Sequence, residues 1–453
     1  MKDIENKYIV VAGAARSGVA AACLLKNNGS EVFVTDSSPI AEYVKERLIK
    51  AGIDYEENGH TLKSGKGDFL VTSPGVPDSS SIIQKYLNDG KEVYSEIEAA
   101  SWFNSSPIVG VTGSNGKTTV TNWLAHIWKT SGRSFVLAGN IGTAFADRVD
   151  ETSPGKTAIL EVSSFQLDHI EHFHPSISVI LNITPDHLDR YDQDFEKYSR
   201  SKLRITENQN SNNYFIYNFE DPVLRNHAES LKKSSDSPRL LAFSDKRELE
   251  NGAFIREKNI ILKIDNTEET LMPFADIQLP GQHNLNNGLA TALAARASEI
   301  EKDWIREALS TFEGVEHRLE PVRTLKGIQY VNDSKATNIN AVWYALDSFN
   351  VPIVLILGGR DKGNDYLQLK KQLVKKVHTV IAIGEAREAI KNQLQDVVPY
   401  VLEANSLKEA VKLSREKAKR GEIVLLSPAC SSFDMFENYE DRGRQFKQAV
   451  LEL

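Results

Sequence analysis

Short apolar runs recur along the chain, each closed by a polar or glycine-rich cluster and followed by a stretch of helical pattern. Tyr8-Ile-Val-Val-Ala12 leads into Gly13-Ala-Ala-Arg-Ser-Gly18, then a small-residue helix over 19–26, then a second strand over 31–35 that stops at Asp36. A further strand over 69–72 ends in the turn Ser73-Pro-Gly-Val-Pro77. The run Pro107-Ile-Val-Gly-Val111 precedes another glycine-rich turn and a helical stretch over 120–128, and apolar strands over 157–161 and 178–183 follow. Residues 206–213 and 230–238, rich in Asn and Ser, read as loops, and 253–256 with 259–263 as the arms of a hairpin. An alanine-rich helix is predicted over 289–297. Strands over 328–331, 352–357, 378–383 and 423–426, with helical spacers, predict a last sheet that is mainly parallel. The rhythm is that of an α/β protein.

Composition adjusts this picture little. A length of 453 residues suggests about three domains at roughly 150 residues each. Hydrophobic residues make up 41% and charged residues 26%, which excludes a disordered or fibrous chain. A net charge of −8 gives no electrostatic reason for a nucleic-acid partner. Cys23 and Cys430 lie far apart beside small or apolar residues, so neither a disulfide framework nor a metal site is expected, and a reducing cytoplasm fits. The first residues carry acids and lead straight into a strand, unlike a signal peptide, and no apolar run approaches membrane-spanning length. A soluble cytoplasmic protein without membrane insertion is expected.

The chemistry concentrates at strand ends. Gly110-Val-Thr-Gly-Ser-Asn-Gly-Lys-Thr-Thr119 reads as a phosphate cradle, because strand, glycine turn and helix start bring unpaired N–H groups and a positive helix end to one point. Gly113, Ser114, Asn115, Gly116 and Thr119 would wrap the phosphates, Lys117 would lie against the outer ones, and Thr118 would offer its hydroxyl to Mg²⁺. The general pattern G-x-x-x-x-G-K-[ST] asks for glycine at 111, where this chain has Val. Glu161 ends an apolar strand, where open α/β sheets bind ligands, and His187 sits between Asp186 and Asp189 after another strand. Lys202 lies in a basic helical stretch that reads as a solvated face. Asn284 and Asn287 share a face if the helix there begins early, and either cap it or read an adenine edge. The Gly13–Gly18 turn with Asp36 reads equally as a dinucleotide site or as a plain structural start, Ala15 replacing the middle glycine of the usual fingerprint. Asn332–Asn338, Gly358–Gly363 and Ser427–Ser432 follow three strands of the last unit and point to one ligand site on one rim.

Seven segments in order carry a resemblance: Thr112-Gly-Ser-Asn-Gly-Lys-Thr118, Leu160-Glu-Val-Ser-Ser-Phe-Gln-Leu167, Asp186-His-Leu-Asp-Arg190, Gly281-Gln-His-Asn284, Glu316-His-Arg318, Asp333-Ser-Lys-Ala-Thr-Asn338 and Ser427-Pro-Ala-Cys430. Together they resemble the Mur ligases, ATP-dependent amino-acid ligases of bacterial cell-wall synthesis, over nearly the whole chain. That family departs from the general phosphate-loop pattern as this chain does at Val111. The resemblance implies three α/β domains: an N-terminal Rossmann-like domain over 1–97 that binds the UDP substrate, a central P-loop-type ATPase domain over 98–314, and a C-terminal Rossmann-like domain over 315–453 that binds the amino acid. It implies peptidoglycan precursor synthesis, and the Asp333–Asn338 segment favours D-glutamate as the amino acid added to UDP-N-acetylmuramoyl-L-alanine. An NAD-type dehydrogenase, a nucleotide-binding switch and a folylpolyglutamate-type ligase are the alternatives.

Carried over residue by residue, the resemblance makes Lys117, Glu161, His187 and Lys202 catalytic. Thr118, Glu161, His187 and Lys202 would hold two Mg²⁺ ions, Lys202 as a carbamate formed with CO₂. Asn284 and Asn287 would meet adenine, Arg318 the phosphates and Asp333 the ribose of ATP. The UDP substrate would lie on Gly13, Arg16, Ser17, Gly18, Asp36, Ser37, Ser73 and Gly75, with Asn140, Ser163 and Gln166 from the central domain. D-Glutamate would meet His187, Lys335, Thr337, Lys362, Ser432 and the backbone near Tyr439. A monomer is expected.

Overall fold

The computed structural model describes residues 2–265, 267–361 and 363–453. Its strands fall into three sheets. The first joins β1 (Tyr8–Ala12), β2 (Glu31–Thr35), β3 (Asp54–Glu56), β4 (Phe69–Thr72) and β5 (Val93–Ser95) in the order β3-β2-β1-β4-β5. Every pairing in it is parallel. β1 and β4 carry continuous apolar sequence because helices cover both faces of a parallel sheet. The helix Arg16–Asn27 starts three residues earlier than its apolar pattern suggested, since Arg16 and Ser17 add polar residues to its first turn.

The second sheet holds β6 (Ile108–Thr112), β7 (Phe135–Gly139), β8 (Thr157–Glu161), β9 (Ile177–Ile180), β10 (Tyr214–Asn218), β11 (Arg239–Ser244), β12 (Gly252–Arg256), β13 (Asn259–Ile264) and β14 (Thr267–Pro273). Their order is β14-β13-β12-β11-β10-β9-β6-β8-β7. β7 through β12 run parallel, and the predicted hairpin β12–β13 turns the sheet antiparallel at its far edge. The helix Lys117–Thr130 follows β6 and is buried along most of its length, with Trp123 stacked on Phe312 at a 5.2 Å ring separation.

The third sheet comprises β15 (Glu320–Leu325), β16 (Ile328–Asn332), β17 (Ile353–Gly358), β18 (Val377–Ile383), β19 (Tyr400–Glu403) and β20 (Ile423–Leu426), ordered β15-β16-β20-β17-β18-β19. It is parallel apart from the β15–β16 hairpin. The apolar pattern foretold β16, β17, β18 and β20. It missed β15 and β19, edge strands whose mixed polar sequence is only partly buried.

The chain divides into two compact units, one of residues 1–278 with 286–312, the other of residues 279–285 with 313–453. The first two sheets belong to one unit and share an apolar cluster that runs from Ile9 through Ile97 and Phe145 to Leu160 and Phe215. The expected boundary between residues 97 and 98 falls inside the buried helix Glu96–Ser101. Glu98 in that helix accepts from the backbone N–H groups of Glu171, His172 and Phe173 and from Trp102 Nε1, which ties the two sheets together. The helix Gln282–Ala297 begins well before its alanine-rich part, so Asn284 and Asn287 are helical. No helix among the described residues is long and apolar enough to cross a membrane.

Candidate active site

In each sheet the clusters singled out in the sequence lie at the carboxyl ends of the strands where the chain order reverses. β1 sits between β2 and β4, β6 between β8 and β9, and β20 between β16 and β17. Such switch points open the crevice in which α/β sheets take ligands.

The cradle after β6 is built around two glycines. Gly113 (φ 146°) and Gly116 (φ 91°) hold backbone conformations that side-chain-bearing residues rarely adopt, and a Cβ on Gly116 would stand 2.6 Å from Asn287 Oδ1. Gly116 caps the helix Lys117–Thr130, so its first N–H groups face the loop. The loop is braced from β9: Ser114 N–H donates to Asn182 O, Asn115 N–H donates to Asn182 Oδ1 at 2.9 Å, and Asn182 Nδ2 returns a bond to Asn115 O at 3.0 Å. Ser114 Oγ donates to Thr184 O at 2.8 Å and meets Tyr198 Oη at 2.9 Å. Lys117 Nζ donates to Gly113 O at 2.7 Å and Ser114 O at 3.0 Å. Thr118 and Thr119 are both buried.

Lys202 corrects one expectation from the sequence pattern. It is 2% exposed, where a basic helical stretch predicted a solvated face. Its helix, Phe195–Leu203, turns Tyr198, Ser199, Ser201 and Lys202 inward and leaves the other charges outside. Nζ donates to Gly113 O at 3.0 Å and lies over the Tyr198 ring at 4.9 Å. Burial, and then the neighbouring Lys117 charge, hold its amine well below the usual lysine range.

Glu161 ends β8 and is 2% exposed. Oε1 accepts from Asn140 Nδ2 at 3.0 Å, whereas Oε2 is buried and has no hydrogen-bond partner among the described residues. An interior carboxylate oxygen left this way suits a cation such as Mg²⁺. His187 occupies the left-handed region (φ 51°), is half exposed, and packs edge-on against Phe165 at 5.3 Å. Arg190, from the same loop, lies over Phe165 at 4.3 Å and donates to Val76 O at 3.0 Å in the turn after β4.

The turns after β1, β2 and β4 converge as well. A Cβ on Gly13 would crowd Ser73 and Val76, and one on Gly18 would lie 1.9 Å from Gly13 O, so the loop needs glycine at both places. Asp36 accepts from Ala14 N–H at 2.7 Å and Ser38 N–H at 2.8 Å. Arg16 donates to Gly142 O, in the turn that carries Asn140. Ser17 is half-buried, Ser37 and Gly75 are exposed, and Ser73 is buried. Ser163 caps the short helix Ser164–Leu167 in a reciprocal capping box with Gln166, which is 1% exposed and has both ends of its amide bonded within the protein.

In the other unit, Asp333 follows β16 and is 4% exposed; Oδ2 accepts from Ser427 Oγ at 2.7 Å and Oδ1 from Leu319 N–H at 3.2 Å. Burial pushes its carboxyl up to about 7 against those two bonds. Lys335 Nζ lies over the Tyr439 ring at 5.3 Å, Thr337 is half-buried and Ser432 is 2% exposed. Arg318 N–H donates to Val315 O, and Asn284 Nδ2 donates to Pro280 O at 2.7 Å. Lys362 lies outside the described residues. Sequence reasoning missed Arg442, which is fully buried and joins two of the strand-end clusters through Ser334 Oγ (2.9 Å), Ser334 O (2.8 Å) and Cys430 O (3.1 Å). It stands in Glu440-Asp-Arg-Gly-Arg444, a charged run whose pattern is that of an exposed helix. Asn182 was missed too, and nothing in its local sequence marks it as the brace of the cradle.

The chain is similar to known proteins over its whole length. Residues 13–82 match the MurD N-terminal domain, 111–295 the Mur ligase middle domain, and 317–430 the Mur ligase, glutamate ligase domain. The chain is 49% identical to the UDP-N-acetylmuramoylalanine--D-glutamate ligase of Salinibacter ruber, covering 99% of this chain and 98% of that protein. It is 46% identical to the ligase of the same name from Christiangramia forsetii, over 99% and 100%. Among solved structures, the MurF ligase of Thermotoga maritima in complex with ADP shares the fold at a TM-score of 0.60 and 16% identity, over the whole of both chains. The UDP-N-acetylmuramate-alanine ligase MurC of the same organism does so at 0.59 and 18%, over 98% and 99%. With three α/β domains in this order and relatives this similar over their full length, the chain belongs to the Mur ligase family.

Proposed function

We propose that the protein joins D-glutamate to UDP-N-acetylmuramoyl-L-alanine, with ATP converted to ADP and phosphate, in the cytoplasmic synthesis of peptidoglycan precursors, and that it acts as a monomer. The observation that carries this reading is the full-length similarity to ligases of that name, together with a loop in which Lys117 and the buried amine of Lys202 share the Gly113 carbonyl while the buried Glu161 pairs in register with Val111 at the end of the neighbouring strand.

A carboxylate is a poor electrophile because its leaving group would be oxide. Phosphorylation of the L-alanyl carboxylate by ATP turns that oxygen into phosphate, a competent leaving group, and the amine of D-glutamate then displaces it. The attack forms the new C–N bond, the C–O bond to phosphate breaks, and one amine proton is released. The first step brings two anions together, so positioning and charge stabilisation dominate over covalent help from the protein. Lys117, which donates to two carbonyls of the loop at the start of its helix, would supply that charge together with the helix N–H groups. Glu161, Thr118, His187 and Lys202 would hold two Mg²⁺ ions, which when bound neutralise charge between phosphate and carboxylate. Lys202 is read as a carbamate: its burial favours the neutral amine that attacks CO₂, and the product would be an anionic oxygen ligand. His187 would serve as a base or orienting group for the incoming amine.

ATP would also meet Asn284, Asn287, Arg318 and Asp333. The UDP moiety would lie on the turns at Gly13–Gly18, Asp36–Ser37 and Ser73–Gly75, with Asn140, Ser163 and Gln166 toward the acyl end. Lys335, Thr337, Lys362, Ser432 and Tyr439 would take D-glutamate. Mass analysis of the UDP-linked product tests the reading: incubation with ATP, Mg²⁺ and D-glutamate should add one glutamyl residue, and an unchanged mass would reject it.

A further inference from the structure

The chemistry above leaves one buried acid without a role. Glu96 opens the helix Glu96–Ser101 directly after β5, and it is 0% exposed. Its Oε1 accepts from Ala146 N–H at 2.7 Å, and its Oε2 accepts from Gln166 Nε2 at 3.3 Å. Gln166 Oε1 in turn accepts from Ser163 N–H at 3.0 Å and from Ser163 Oγ at 3.1 Å.

The order of donors and acceptors in this chain is forced. Backbone N–H groups can only donate, so Gln166 must turn its oxygen toward Ser163 and its NH₂ away. The NH₂ then requires an acceptor, and an ionised carboxylate is the one side chain of this size that offers oxygens on both sides. A glutamine at 96 has a single oxygen, so either the Gln166 NH₂ or the Ala146 N–H would face another donor, unless Gln166 flipped its amide and left Ser163 N–H without its acceptor. The other arm of Glu96 holds Ala146, which follows the turn containing Asn140, and Asn140 itself donates to Glu161 Oε1 at 3.0 Å. One carboxylate from the first sheet's domain therefore fastens two separate segments of the central domain.

We propose that Glu96 is a positioning residue for the UDP-linked substrate: by accepting from Ala146 and Gln166 it fixes the segment that carries Asn140 and the amide orientation that sets Ser163. The proposal rests on the function given in the preceding section. Glu96 does not touch the reacting atoms; it acts through the residues it orients.

Steady-state phosphate release at about pH 8.5, where Glu96 is ionised, tests this on the full-length protein. Glu96→Gln is expected to raise KM for UDP-N-acetylmuramoyl-L-alanine about tenfold or more, with KM for ATP and D-glutamate within about twofold and a melting temperature close to that of the unaltered protein. Glu96→Gln/Gln166→Glu restores a donor facing an acceptor at every step, and should lower the KM for the UDP substrate relative to Glu96→Gln. An unchanged KM for the UDP substrate in Glu96→Gln, or an equal rise in all three KM values, would overturn the proposal. Should Glu96→Gln fail to fold, the double variant decides: a folded protein supports the relay, and one that also fails to fold overturns it. If the unaltered protein neither binds nor turns over the UDP substrate, the function itself is rejected and the proposal falls with it. Turnover in the unaltered protein with an indifferent Glu96→Gln rejects the positioning role alone.

Discussion

Lys117 and Lys202 donate to the same carbonyl oxygen, that of Gly113, at 2.7 and 3.0 Å. Two ammonium groups on one acceptor repel each other, and the buried one yields: desolvation first and the Lys117 charge second depress the Lys202 pKa. Lys202 is thereby prepared to react as a free amine. Incubation with ¹³C-bicarbonate should give a carbamate resonance that is absent from Lys202→Ala. That variant should lose turnover by at least about a hundredfold, the scale of one lost electrostatic group, and regain part of it with added formate or acetate. A silent spectrum together with no rescue would contradict the carbamate.

Gly116 combines a left-handed backbone with a Cβ position only 2.6 Å from Asn287 Oδ1. Gly116→Ala should therefore cost about 1–3 kcal/mol of stability, from backbone strain and displacement of Asn287. Binding of a non-hydrolysable ATP analogue should weaken in parallel. Denaturant unfolding and calorimetric titration check both effects, and an alanine variant that binds the analogue normally would show that the loop tolerates a side chain.

The limits of the sequence reading follow from the same residues. The parallel strands β1, β2, β4, β6, β8, β9, β16, β17, β18 and β20 and the cradle were legible because continuous apolar runs and glycine-bearing turns are local signals, whereas β3, β5, β7, β10 and β11 were not singled out. β15 and β19 were not, since a half-exposed edge strand lacks a strong pattern. Lys202 and Arg442 look like members of charged helices when read along the chain, and Glu96 stands where a domain boundary was expected; only the fold turns each inward. Their importance depends on partners far away in sequence, Gly113, Ser334 and Gln166 respectively, which no local window contains. Family resemblance pointed to Lys202 but carried no signal for the other two.

Asp333 gives a pH test. Its carboxyl is raised to about 7 in the fold, against about 3.9 in an unfolded chain. Between those values the folded protein keeps a proton that the unfolded chain releases, so the stabilisation is fully present below about pH 4 and is lost as pH rises through 7. Asp333→Asn removes this dependence. Glu96, raised to about 7 in the same sense, is present in both proteins and cancels in the comparison. Unfolding curves at pH 5 and pH 8 should show the stability of Asp333→Asn improving relative to the unaltered protein at the higher pH; a constant difference would contradict the assignment.

Glu161 holds Asn140 with one oxygen and keeps the other buried without a partner among the described residues. Glu161→Gln keeps the shape and removes the charge, so the Mg²⁺ concentration for half-maximal activity should rise about tenfold or more. Magnesium titration of phosphate release reads this directly, and an unchanged midpoint would remove Glu161 from the metal site.

The central claim is that this ligase selects D-glutamate for a UDP-linked L-alanyl acceptor. Phosphate release measured with ATP, Mg²⁺ and UDP-N-acetylmuramoyl-L-alanine across D-glutamate, L-glutamate, glycine and L-lysine tests it most directly. Turnover with D-glutamate should exceed that with glycine and L-lysine by at least about a hundredfold, because neither offers the second carboxylate of D-glutamate, and that with L-glutamate as well, because the mirror-image centre cannot present its amine and both carboxylates to the same groups. Equal turnover with glycine or L-lysine would contradict the account.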